Sequence, residues 1–177
     1  MRLSLARKII VEGIKKNVAQ TLKKPITFHL EGSMGIGKTA LARQIAEDLG
    51  FYLVIVSLPQ LEPTDIGGMR MPKGDRMIVL QPDWYVDAEQ MAKLKAEGYK
   101  GVLYFFDELP QAPILNQNIY AQIADEYRIG DYKLDRTECY VMSAGNKLSD
   151  KAGTNAMPSH LIDRLTFLEI EPNLDDT

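Results

Sequence analysis

Only one cysteine, Cys139, occurs in the 177 residues, and histidine is almost as scarce, at His29 and His160. A single thiol excludes an internal disulfide, and because Cys139 falls inside an apolar run it reads as buried filler rather than a nucleophile. Two dispersed imidazoles exclude a histidine-built metal site. Long hydrophobic runs are missing as well. The longest, near residues 52–56 and 102–106, are strand-length and far short of the ~20 residues a bilayer requires, and no cleavable signal pattern opens the chain. No membrane partner is expected, and the expected location is a reducing cytoplasm. Internal repeats and low-complexity linkers are also absent. What is present, 45% apolar and 25% charged residues, suits one globular domain with a real core over residues 1–177.

Charge is unevenly spread beneath a net value of −3. Arg2, Arg7, Lys8, Lys15, Lys16, Lys23 and Lys24 crowd the first 24 residues against the lone acid Glu12, whereas Glu169, Glu171, Asp175 and Asp176 lie near the end. Leu3, Ile10, Ile14, Val18 and Leu22 recur at helical spacing, so an N-terminal helix is expected within residues 1–24 with the lysines as its solvated face. Contact with nucleic acid is the competing reading of the same charges.

Five apolar, β-branched or aromatic runs read as strands: residues 26–30, 52–58, 102–106, 139–143 and 165–170. Most are continuous rather than alternating, as strands covered on both faces of a parallel sheet are. Helical patterns separate them. One is expected at 39–49, stopped by Gly50; a short one follows Asp87, which forms a capping box with Gln90; a longer one at 113–129 should bury Leu115, Ile119 and Ile123 and end at Gly130. Alternating strands and helices imply a three-layer α/β domain. Residues 69–72 and 76–80 flank the turn Lys73-Gly74-Asp75, which predicts a small β-hairpin inserted at 69–80.

The segment Gly32-Ser33-Met34-Gly35-Ile36-Gly37-Lys38-Thr39 fits the pattern G-x-x-x-x-G-K-[ST] in full, directly after the first strand and before a helix. Gly32, Gly35 and Gly37 let the backbone form a nest of N–H donors around phosphate oxygens, and the helix entered through Ala40 points its positive end at them. Lys38 would reach the β- and γ-phosphates of a nucleoside triphosphate, and Thr39 would take a Mg²⁺ position. The third strand delivers Asp107 and Glu108 at its C-terminal end, a Walker B arrangement in which Asp107 belongs to the Mg²⁺ shell and Glu108 polarises the attacking water. A GTPase is the rival: Asp65-Ile66-Gly67-Gly68 matches D-x-x-G and Asn146-Lys147 opens like N-K-x-D. The fit fails at Asp150, which comes four residues after Asn146 rather than three.

These blocks, together with 61–68 (Leu-Glu-Pro-Thr-Asp-Ile-Gly-Gly), 106–112 (Phe-Asp-Glu-Leu-Pro-Gln-Ala), 143–146 (Ser-Ala-Gly-Asn) and 157–165, give nearly the whole chain a resemblance to the AAA+ ATPases. The similarity is greater to the MoxR-like branch, with its insert in helix 2, of the kind encoded by bacteria and phages. The resemblance implies a parallel sheet of order 5-1-4-3-2, a sensor asparagine at Asn146 and an arginine finger at Arg164 acting on a neighbouring subunit's nucleotide. Arg128 and the weaker Arg136 are further inter-subunit candidates. The hairpin at 69–80 looks like the branch's pore-facing insert. Family members continue past the fifth strand into a small helical lid; the sequence given, with the lid absent, stops at Thr177 shortly after Pro172, which is expected of either a fragment or a minimal, lidless version.

The function so implied is Mg²⁺-dependent ATP binding and hydrolysis in a ring, such as a hexamer, that remodels a protein partner of unidentified kind. Two alternatives stand beside it: an ATPase of DNA metabolism, acting as a helicase loader or replication accessory, and a slow nucleotide-regulated binding switch.

Overall fold

A computed structural model describes residues 1–147 and 155–171. In chain order its elements are α1 (Leu3–Val18), β1 (Thr27–Glu31), α2 (Lys38–Leu49), β2 (Phe51–Ser57), α3 (Pro63–Gly67), β3 (Met69–Lys73), β4 (Arg76–Leu80), α4 (Ala88–Ala96), β5 (Gly101–Asp107), α5 (Ile114–Glu126), β6 (Arg128–Ile129), β7 (Tyr132–Lys133), β8 (Cys139–Gly145), α6 (Ser159–Ile162) and β9 (Leu165–Glu169). Strands β2, β5, β8, β1 and β9 form one parallel sheet in that spatial order, which is the expected 5-1-4-3-2 order read from its other edge. The fold is the three-layer α/β architecture of P-loop nucleoside triphosphatases.

The continuous apolar strands are explained by what lies on each face. Along β5, Val102, Tyr104 and Phe106 pack toward α4 and α5, while Leu103 and Phe105 pack toward α1 and α2. All five are fully buried, so neither face tolerates polar alternation. Truncating one of the two phenylalanines to alanine would cost about 3–5 kcal/mol.

On the face shared with α2, α1 buries Ala6, Ile10 and Ile14, and its exposed lysines are a solvated face. It stops at Val18, short of Leu22. Buried Asn17 anchors its end, donating from Nδ2 to the Ile26 carbonyl at 2.8 Å and accepting from the Ile26 N–H at 3.0 Å. That pair fixes where β1 begins.

On the other face the structure corrects the expected helix at 113–129. α5 ends at Glu126, because Tyr127 takes a left-handed conformation (φ 49°) and its hydroxyl accepts from the Val141 N–H at 3.3 Å. Arg128 and Ile129 then pair with Tyr132 and Lys133 in a second small hairpin. The buried face also differs. Leu115 is 57% exposed, whereas Asn116, Gln117 and Tyr120 are buried with Ile123. Asn116 Nδ2 donates to the Leu58 and Leu61 carbonyls at 3.0 and 2.8 Å, and Gln117 Nε2 to the Ala112 carbonyl at 3.0 Å. Carbonyls left over by the loops around β2 and β5 thus set the rotation of α5, because orphaning them would cost more than exposing one leucine.

The hairpin of β3 and β4 forms over the expected residues and stands out from the sheet. Gly68 at its base has φ 81°, and a Cβ there would lie 2.3 Å from the Leu80 carbonyl oxygen, so only glycine lets the two strands close.

Candidate functional site

Parallel register brings the C-terminal ends of four strands together. Ser57 lies opposite Asp107, Phe106 opposite Ser143, and Glu31 opposite Gly145. The loop at 32–39 leaves this end of β1, and α2 starts within it. Gly37 caps α2 with φ 95°, a left-handed conformation that side chains resist.

The loop's side chains are engaged across the crevice between β1 and its neighbours. Thr39 Oγ1 donates to Asp107 Oδ2 at 2.9 Å. Lys38 is buried, and its Nζ donates to the Gly32 carbonyl at 2.6 Å, the Ser33 carbonyl at 2.9 Å and Asn146 Oδ1 at 3.1 Å. Five of the residues singled out by sequence, Lys38, Thr39, Asp107, Glu108 and Asn146, therefore meet at one end of the sheet. The remaining loop residues, Ser33, Met34, Gly35, Ile36 and Ala40, lie along the same turn and first helical residues, with Met34 75% exposed.

Two further residues enter this network that sequence reasoning missed. Ser57 Oγ donates to Glu108 Oε2 at 3.2 Å, holding a carboxylate whose own backbone is left-handed (φ 58°). Gln111, with its amide turned to satisfy both ends, accepts from the Asn146 N–H at 3.2 Å and from Nδ2 at 3.3 Å, and donates to the Glu108 carbonyl at 3.2 Å. A lone hydroxyl ending β2 carries no sequence signal. Gln111 stands inside the quoted block at 106–112, and its spacing from Glu108 was the available clue.

Arg164 is elsewhere. Leu165 lies opposite Thr27, so the arginine sits beside the N-terminal end of β1, about 15 Å or more of strand from the chain's own phosphate loop. Its ion pair runs to Asp125 on α5, with Nε 3.2 Å from Oδ2. Arg128 Nε donates to the Gly130 carbonyl at 2.9 Å and Arg136 to the Leu22 carbonyl at 3.4 Å, both internal contacts.

The residues behind the rival readings are used structurally. Asp65 Oδ2 accepts from the Glu62 N–H at 2.9 Å as part of a capping box for α3. Asp150 lies outside the described residues. In the basic segment, Arg7 clasps Asp48 through two bonds of 2.6 Å, and Lys15 pairs with Glu12 at 2.9 Å.

Cys139 is buried, and desolvation, followed by nearby Asp135 and Glu138, pushes its thiol up to about 12, far from a nucleophilic thiolate. His29 lies fully buried on β1, with Nδ1 2.9 Å from Ser143 Oγ. Burial, and secondarily the charge of Lys38, lowers it to about 3, so the ring is neutral. Among the described residues no group of three or more His, Cys, Asp or Glu is placed to hold a metal, and no helix is long and apolar enough to cross a membrane.

Residues 28–111 match the family model described as "ATPase family associated with various cellular activities (AAA)". That AAA domain match runs from β1 through the phosphate loop and hairpin to the turn after Glu108, less than half of the chain. Two mutants of RuvB from Thermotoga maritima share the fold, with TM-scores of 0.56 and 0.57 at 17% and 16% identity. They cover 97% and 95% of this chain, which spans 46% and 45% of theirs. Among curated proteins none matches.

Proposed function

We propose that this chain binds ATP with Mg²⁺ at residues 32–40 and hydrolyses it, as one subunit of a ring. The single observation that carries the reading is the contact of the Thr39 hydroxyl with Asp107, beside the contact of Lys38 with Asn146: the loop and the acidic strand are already joined where a triphosphate would lie. A hydroxyl and a carboxylate oxygen side by side are the hard oxygen donors that Mg²⁺ takes, so Thr39 and Asp107 fit as its protein ligands. Mg²⁺ held there would supply charge neutralisation for the phosphate groups.

The chain's own groups do the rest. Lys38 exchanges its carbonyl acceptors for charged phosphate oxygens, a stronger class of bond. Glu108, steadied by Ser57, accepts a proton from the water that attacks the γ-phosphorus, while Asn146 donates from Nδ2 to the water or the γ-phosphate and is itself oriented by Gln111. Arg164, remote from its own loop, serves the nucleotide of a neighbouring subunit. Remodelling of a protein partner, in the manner of the MoxR-like branch, is the work we assign to the ring. The exposed hairpin of β3 and β4, with Met69, Met71 and Met77 on its surface, supports that assignment as a partner-facing insert.

Lys38→Ala should abolish ATP binding, because it removes the phosphate counter-charge. Glu108→Gln should preserve binding and stop hydrolysis, because it removes only the proton acceptor. Equal loss of binding in both variants, measured by titration calorimetry, would show that Glu108 is not the water-activating group.

A further inference from the structure

Resting on the trans role assigned above to Arg164, we infer that Asp125 is its positioning residue: it aims the guanidinium at the neighbouring subunit's γ-phosphate. A guanidinium has five N–H donors in a rigid plane, so fixing two of its edges fixes the direction of the third. Here Nε faces Asp125 Oδ2 at 3.2 Å and Nη1 donates to the His160 carbonyl at 2.9 Å. Nη2 makes no bond among the described residues.

The supporting element also matters. Arg164 follows α6, a single turn in which only Leu161 is buried, and such a turn cannot by itself hold a long side chain still. Asp125 stands on the last turn of the 13-residue α5, whose buried face is bolted to the loops beyond β2 and β5. Asp163 lines the same cleft of about 180 Å³, with Lys24 and Pro25, yet it forms no ion pair with the arginine. The carboxylate on the long helix is the one that aims it. Because both partners are about one-third exposed, the pair contributes little to folding and leaves the guanidinium accessible to another subunit. Misplacing a catalytic group by about 1 Å can cost on the order of 10²-fold in rate.

The experiment uses full-length variants in mixtures. Asp125→Asn keeps the size and removes the charge, and it should lower turnover at saturating ATP by about tenfold with KM unchanged, a fraction of the roughly 10³ to 10⁵ that an arginine finger can supply. Mixed with Glu108→Gln protein, which presents a braced arginine to the intact site of Asp125→Asn, it should regain activity. Mixed with Arg164→Ala protein it should not, since neither partner then presents an aimed arginine. Asp125→Glu, which keeps the charge, should recover part of the loss.

Wild-type turnover in Asp125→Asn overturns the inference, and so does its failure to recover when mixed with Glu108→Gln protein, which would mark a general structural defect. A separate outcome concerns the underlying reading. If Arg164→Ala itself hydrolyses ATP like wild type, the trans role of the arginine falls, and the positioning role falls with it.

Discussion

The two ends of the sheet are built differently. At the C-terminal end, Lys38, Thr39, Ser57, Asp107, Glu108, Gln111 and Asn146 form one network across four strands. At the N-terminal end, beside β1, Arg164 is held by one carboxylate, about one-third exposed, and one carbonyl. On the function proposed above, the first end is preorganised, so its polar groups would need only to exchange partners for phosphate, and one chain would suffice. The second end would acquire a catalytic role only through a second subunit. Binding should therefore be a property of the monomer and fast hydrolysis a property of the assembly.

The largest effect should come from breaking the preorganised end. Asp107→Asn removes the charge beside Thr39 while keeping its shape, so hydrolysis should drop by about 10² to 10³-fold or more with the melting temperature nearly unchanged. A melting temperature that falls as far as the activity would make the contact structural.

A smaller effect, on stability, should come from His29, buried on β1 behind the phosphate loop. Its native pKa is lowered to about 3 from an ordinary 6.5, so the unfolded chain binds the proton first as pH falls. Its contribution is complete above pH ~6.5 and is lost at about 1.4 kcal/mol per pH unit below that, toward the folded value. Urea unfolding at pH 7.0 and 5.5 should show that loss in wild type, and His29→Gln should flatten it. An equal decline in the variant would assign the acid sensitivity to other groups.

The smallest effect should come from the tip of the β3–β4 hairpin. Gly74 at the hairpin tip is open on all sides, so deleting residues 73–75 and closing the strands should change unfolding free energy by less than about 0.5 kcal/mol and leave basal ATPase intact, while impairing partner remodelling. A large loss of thermal stability would make the hairpin a structural prop.

The same contrast explains what was legible in the sequence. The strands were visible because burial on both faces forces continuous apolar runs, and the phosphate loop was visible because its glycines and its lysine have fixed spacing. The hairpin was announced by Lys73-Gly74-Asp75. The orientation of α5 was hidden, since its buried face is partly Asn116 and Gln117, polar residues that a hydrophobic count assigns to solvent. Ser57 and Gln111 were hidden for a related reason: they matter through bonds to Glu108 and Asn146 that exist only once β2, β5 and β8 are in register. The partner of Arg164 was hidden because Asp125 lies far from it in sequence and is brought beside it only by the packing of α5.

The most direct measurement is the specific ATPase activity of the wild-type chain as protein concentration is raised, with molecular mass recorded in the same samples by light scattering. A composite site predicts that activity per subunit climbs in step with assembly, and that Arg164→Ala assembles without the climb. Specific activity that stays constant down to a demonstrated monomer would contradict it.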